Sequence, residues 1–144
     1  MINKFEVSTL ILRVVLGITF FVHGLVKFQG GIENTAGWFA SIGLPGALAY
    51  AVAILEAAGG IALIIGLGSR AVSGLLALLM IGATLKVKLA GGFLGNGQGA
   101  GYELDLALMA MAVVIAINGS KLFALDQVLF KKEKRAASTA AVIK

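Results

Sequence analysis

The sequence contains no cysteine and a single histidine, His23. The first absence excludes disulfides, thiol nucleophiles and cysteine-held clusters, and leaves the redox compartment unreadable. The second excludes bis-histidine haem ligation and a histidine-rich metal centre within one protomer, so no metal site is expected. Charge is scarce as well: Asp, Glu, Lys and Arg make up 13% of 144 residues, against 59% hydrophobic residues and a mean hydropathy of +0.98. A soluble domain carries about a quarter charged residues, so the class is membrane protein. Alternation of apolar and polar residues is also missing. That argues against strands of a membrane barrel.

What is present is a set of long apolar runs. A helix of about 20 residues, rising ~1.5 Å each, crosses a ~30 Å hydrocarbon core. In lipid such runs must be helical, because main-chain polar groups there have no water to bond. The runs place spans at 8–28, 48–67, 71–90 and 103–119. The expectation is an all-α protein, a bundle of four transmembrane helices forming one domain over 1–129, followed by a basic tail over 130–144. No A-x-A-like cleavage site follows the first run, so it is expected to stay as a signal anchor.

The basic residues set the expected orientation. Lys4 precedes the first span, Arg70 lies in the Gly68-Ser69-Arg70 turn, and Lys131-Lys132-Glu133-Lys134-Arg135 lies in the tail, while 29–47 and 91–102 hold no Lys or Arg. The positive-inside rule puts both termini in the cytoplasm and the protein in the plasma membrane as a multi-pass chain. The net charge of +5 is concentrated in that tail, since five of the twelve Lys and Arg residues follow residue 130. Beside a span such a tail fits anionic lipid rather than nucleic acid. Trp38-Phe39 in the first loop is expected as an interfacial anchor. The glycine-rich stretch from Gly91 to Tyr102 lacks a phosphate-loop G-K-[ST] and is expected to form a flexible cap over the external end. An internal echo links Val26-Lys27-Phe28-Gln29-Gly30-Gly31 with Val87-Lys88-Leu89-Ala90-Gly91-Gly92. Chance and a duplicated hairpin both account for it.

The chemistry lies in ionisable groups at membrane depth, each costing about 2.5–3.5 kcal/mol on insertion scales. Steps of 100° put Arg13, Gly17, Phe20, Gly24 and Lys27 on one arc of the first span, with His23 at its edge, and this face should point inward. Glu56 lies mid-span, where a carboxylate must be protonated, paired or solvated. It is read as a proton-transfer group with His23, or as one end of a fixed ion pair with Arg13 or Lys27. Lys86 and Lys88 fall about 200° apart on an α-helix. The echo favours Lys88 inward, with Lys86 reaching to the interface. The same geometry separates Glu103, taken as the inward carboxylate, from Asp105, taken as a bystander.

In order and spacing the sequence resembles the DoxX family of small four-helix bacterial membrane proteins, up to about Leu129. The resemblance rests on Leu12-Arg13, Leu16-Gly17, His23-Gly24-Leu25-Val26-Lys27-Phe28, Thr35-Ala36-Gly37-Trp38-Phe39, Gly43-Leu44-Pro45, Glu56 with Gly59-Gly60, Arg70 and Gly101-Tyr102-Glu103. Where relatives often carry a histidine near the end of the third span, this chain has Lys88. The resemblance implies an oxidoreductase working with membrane quinones, and the branch it looks most like is associated with tolerance of catechol and methylhydroquinone. On that reading His23 and Glu56 are catalytic proton-transfer groups, and Arg13, Lys27, Lys88 and Glu103 bind substrate. No covalent cofactor is implied. A membrane quinone, a quinone or aromatic small molecule as ligand, a soluble or membrane redox partner and a second copy of the chain are the expected partners, besides the bilayer. The competing reading is a non-catalytic membrane subunit, assembly factor, small-molecule binder or permease.

Overall fold

A computed structural model describes residues 3–97 and 99–129. The basic tail assigned to 130–144 lies outside them. The described residues are helical, with no β-strand among them. Helix α1 runs Lys4–Gln29, α2 Ile32–Ser41, α3 Gly46–Ile65, α4 Ser69–Ala83 and α5 Glu103–Asn118. Helix α4 continues as a π turn, Thr84–Lys88, and a 3-10 turn, Leu89–Gly91. Three segments are long and apolar enough to cross a membrane: Lys4–Gln29, Gly46–Ile65 and Ser69–Gly91. Helix α5 has 16 residues, which at ~1.5 Å per residue is shorter than the hydrocarbon core.

One of the predicted connections differs from expectation. The first loop contains α2, a ten-residue helix that packs against α3. Phe39 turns inward and is buried, while Trp38 beside it stays exposed, with the two rings edge to face at 5.4 Å. The glycine-rich loop is tied back on itself. The Tyr102 and Glu103 amides donate to the carbonyls of Gly92 and Phe93 at 3.3 and 3.1 Å, and an isolated antiparallel bridge joins Gly95 to Ala100.

Helices pair as α1 with α3 and α4 with α5. Small residues set the first pairing. A Cβ on Gly24 would lie 2.5 Å from the Ala57 amide nitrogen, and one on Gly17 2.8 Å from the Gly60 carbonyl. Backbones therefore touch along this seam, which is how helices gain van der Waals contact where lipid supplies no hydrophobic drive. Between the pairs the core is apolar, with Leu16, Phe20, Leu63, Leu76, Met80, Leu108, Ala112 and Ile115 buried. One end of the bundle gathers the start of α1, the α3–α4 turn and the segment after α5. The opposite end gathers α2, the π turn and the start of α5.

Candidate functional site

The polar face predicted for α1 is buried from Arg13 to Gly24, and it divides between the two ends of the bundle. At the first end Arg13 is fully enclosed. Its Nη1 donates to the Ser120 carbonyl at 3.0 Å and its Nη2 to the Phe123 carbonyl at 3.2 Å. The same segment seals the α3–α4 turn. Gly66 sits at φ +74° and allows Leu67 and Gly66 to donate back to the carbonyls of Ala62 and Leu63, the arrangement that satisfies the last turn of a helix. The Gly68 amide then donates to both carboxylate oxygens of Asp126 at 3.0 Å, and the Asp126 amide to the Gly66 carbonyl at 3.2 Å. This places a negative charge at the start of α4, where the helix dipole favours it. Arg13 is thus a fastener of the chain's last described segment, and it does not line the cavity at the other end.

The opposite end holds a cavity of about 380 Å³. Its apolar wall comes from Phe20, Trp38, Phe39, Leu44, Leu48, Val52, Met80 and Leu108. Its polar groups are His23 and Lys27 from α1, Glu56 from α3, Lys86 and Lys88 from the π turn, and Asp105 from α5. Both carboxylates are buried and both are paired: Glu56 Oε2 accepts from Lys27 Nζ, and Asp105 Oδ1 accepts from Lys88 Nζ at 2.6 Å. Lys27 Nζ also reaches the His23 carbonyl at 3.4 Å, and Thr84 Oγ1 lies 3.5 Å from Asp105 Oδ2. The lysine side chains are about a quarter exposed where the carboxylates are nearly covered, so the positive end of each pair is the more accessible one. The His23 residue is exposed at the rim, and its imidazole bonds no other described residue.

Of the predicted site residues, the structure brings His23, Glu56, Lys27 and Lys88 into one cavity and leaves two elsewhere. Arg13 belongs to the other end. Glu103 is exposed at the first position of α5 and does not line the cavity. Its place is taken by Asp105, which is buried against Lys88. The choice between the two had no counterpart to rest on: α5 is apolar all round, so its pattern does not say which side faces in. Lys86 also lines the cavity, contrary to the expectation that it would reach away. Residues 84–88 form a π turn, which leaves residues two apart roughly opposite one another much as an α-helix does, so the cavity borders this segment on more than one side. Among the described residues no three His, Cys, Asp or Glu side chains are placed to hold a metal ion.

The two ion pairs join the helix pairs in a similar way, although Glu56 lies in the middle of α3 and Asp105 in the first turn of α5. Lys27 near the end of α1 meets a carboxylate on α3, and Lys88 near the end of the α4 continuation meets one on α5. The echo at 26–31 and 87–92 therefore has a counterpart in contacts as well as in residues.

Comparison with known proteins gives these findings. The family model described as DoxX matches residues 8–89. The chain is 46% identical over 132 residues to a Bacillus subtilis protein named "Putative oxidoreductase CatD", covering 92% of this chain and 94% of that one. It is 28% identical over 135 residues to an uncharacterized membrane protein of Mycobacterium tuberculosis, covering 87% and 83%. No solved structure matches it.

Proposed function

Because this chain belongs to the DoxX family and is a membrane protein, we propose that it is a membrane oxidoreductase whose cavity takes a quinone or catechol-type aromatic. The observation that carries this reading is a cavity with aromatic walls whose polar groups all converge on it, the usual make-up of a small-molecule site. An aromatic ring fits against Phe20, Trp38 and Phe39, with its oxygens toward the ammonium groups of Lys27 and Lys88. Those groups stabilise negative charge developing on oxygen, in a setting with little water to screen it. Glu56 and His23 are the candidates to accept the protons released. The overall reaction on this reading moves two electrons and two protons from a dihydroxyarene to a membrane quinone, giving an aromatic quinone and a membrane quinol. The sequence has no cysteine and no histidine pair for an electron carrier of its own, so the quinone or a partner subunit serves as acceptor.

The topology proposed with it has four crossings, made by α1, α3, α4 with its continuation, and α5, in the plasma membrane. Both termini are cytoplasmic and the cavity lies toward the external side. Support comes from Lys4, Arg70 and the basic run over 131–135, set against 29–47 and 91–102, which hold no Lys or Arg. Single cysteines introduced at Ser41 and Lys121 into this cysteine-free chain test it. Impermeant maleimide should label only the first in intact cells, and the reverse pattern rejects the orientation.

The test of function is solvent extraction of the purified protein with mass spectrometry for a bound quinone, followed by turnover of catechol or methylhydroquinone with a quinone acceptor. The enzyme reading fails if no acceptor supports turnover and Glu56→Gln and His23→Ala leave cellular resistance to catechol intact. The second reading is a non-catalytic subunit, assembly factor, binder or permease. It draws on the fact that each buried carboxylate is already held by a lysine, as a bundle-locking network requires. It fails if those variants lose activity while keeping the parent's thermal stability.

A further inference from the structure

The cavity holds more positive charge than its ion pairs consume. Lys27 is matched by Glu56 and Lys88 by Asp105, whereas Lys86 bonds no other described residue. Lys86 is exposed and lines the cavity from the π turn over 84–88, and π turns inside helices recur at functional sites. The charged and titratable groups facing it are His23 and Lys27 on α1, Glu56 on α3, Lys88 beside it and Asp105 on α5. Helix α2 contributes only the rings of Trp38 and Phe39. With His23 neutral and both carboxylates ionised, these groups leave one positive charge in excess, next to apolar walls.

We propose that Lys86 is an anion-binding residue and that the cavity takes its aromatic ligand as a monoanion, with a phenolate oxygen against the Lys86 ammonium. This rests on the aromatic-site reading above and sharpens it to one protonation state. Binding breaks one O–H bond of a dihydroxyarene, keeps both electrons on the oxygen, and releases one proton to solvent. An opposite charge within ~4–6 Å favours the charged form of an acid by about one to three pH units. The ligand held here therefore ionises at lower pH than it does in water. Neutral quinones lack that charge and bind more weakly than the hydroxyarene, which favours product departure after oxidation.

Nitrocatechol is a suitable probe, because its ionisation changes its visible spectrum. The purified full chain in detergent is titrated with pH in the presence of the probe, beside K86M and K86R variants. Equilibrium dialysis reports how much probe is bound, and thermal unfolding reports whether each variant folds. The expected result is bound probe ionising at least about one unit below the free probe in the parent protein and in K86R. In K86M, with thermal stability kept, that shift is lost and the bound fraction at neutral pH falls about tenfold or more. If the probe binds but ionises as it does in water, or if K86M keeps the shift, the Lys86 proposal is wrong and the aromatic-site reading stands. If no probe binds to the folded parent protein and quinones do not bind either, the aromatic-site reading is itself rejected. Should K86M fail to fold, K86Q and the K86R spectrum decide on the same criteria.

Discussion

The two ends of this bundle handle buried positive charge in opposite ways. At one end Arg13 is answered by main-chain carbonyls of Ser120 and Phe123, which are neutral and fixed in place. At the other, Lys27 and Lys88 are answered by the carboxylates of Glu56 and Asp105, which can change charge, around a cavity. A guanidinium is a rigid planar fork and suits a fixed pair of acceptors, whereas a lysine is a compact charge on a flexible stem. Glycine tells the same story. A Cβ on Gly66 would meet Ala124 and the Arg13 Nη1 at 2.6 Å, while one on Gly82, which lines the cavity, meets nothing within 4 Å. One end is packed to hold shape and the other leaves room, so burial of charge alone does not identify a site.

The largest effect expected from breaking this contrast is at Gly66. Gly66→Ala adds a left-handed strain of ~1–2 kcal/mol to a collision with main chain. It should destabilise the protein by roughly 3–5 kcal/mol in thermal or denaturant unfolding in detergent. The folded fraction should still bind an aromatic ligand. Loss of binding in protein that is still folded would show that the two ends are coupled and the contrast false.

Next in size is Lys27→Met, which strands Glu56 in the wall and should cost about 3 kcal/mol, toward the lower end of what broken buried pairs show. Adding Glu56→Leu should restore most of that stability, because a buried pair replaced by apolar groups is often neutral. The double variant separates the two functional readings. A chain that is stable again but has lost catechol handling marks the pair as part of the site, and one that regains both marks it as a lock. Arg13→Lys should cost less, about 1–2 kcal/mol, since charge stays while one carbonyl loses its donor. Aromatic affinity should not change. Isothermal binding beside an unfolding curve checks both.

Much of this contrast was legible in residues, and the parts that were not have physical causes. The apolar runs over 8–28, 48–67, 71–90 and 103–119 lie close to α1, α3, α4 with its continuation, and α5. The inward arc of α1 follows from 100° steps alone. Helix α2 is too short to read as a span, and its ten residues include Asn34, Thr35 and Gly37, which read as loop. The partners of Arg13 are carbonyls more than a hundred residues away, and a carbonyl has no letter in a sequence. Lys86 lines the cavity although it lies roughly opposite Lys88, because the cavity borders the 82–88 segment on more than one side. Asp105 lost to Glu103 because α5 is apolar on every side. In each case a local rule was applied correctly to a geometry that distant contacts decide.

The smallest effect is expected at Gly82, and it tests the contrast from the permissive side. Gly82 lies two residues before the π turn, in helix, so alanine meets no backbone strain there and lowers the entropy lost on folding. Nothing lies within 4 Å of the added methyl, so no packing cost offsets that gain. Gly82→Ala should leave stability unchanged or raise it by up to ~1 kcal/mol. The methyl takes a small part of a cavity of about 380 Å³, so affinity for a single-ring aromatic should change by no more than about threefold, or ~0.6 kcal/mol. A larger side chain at the same place, as in Gly82→Leu, should fill the space and exclude the ring without unfolding the chain. If Gly82→Ala instead unfolds the protein as Gly66→Ala is expected to, the cavity end is packed as tightly as the Arg13 end, and the room attributed to a ligand is not there.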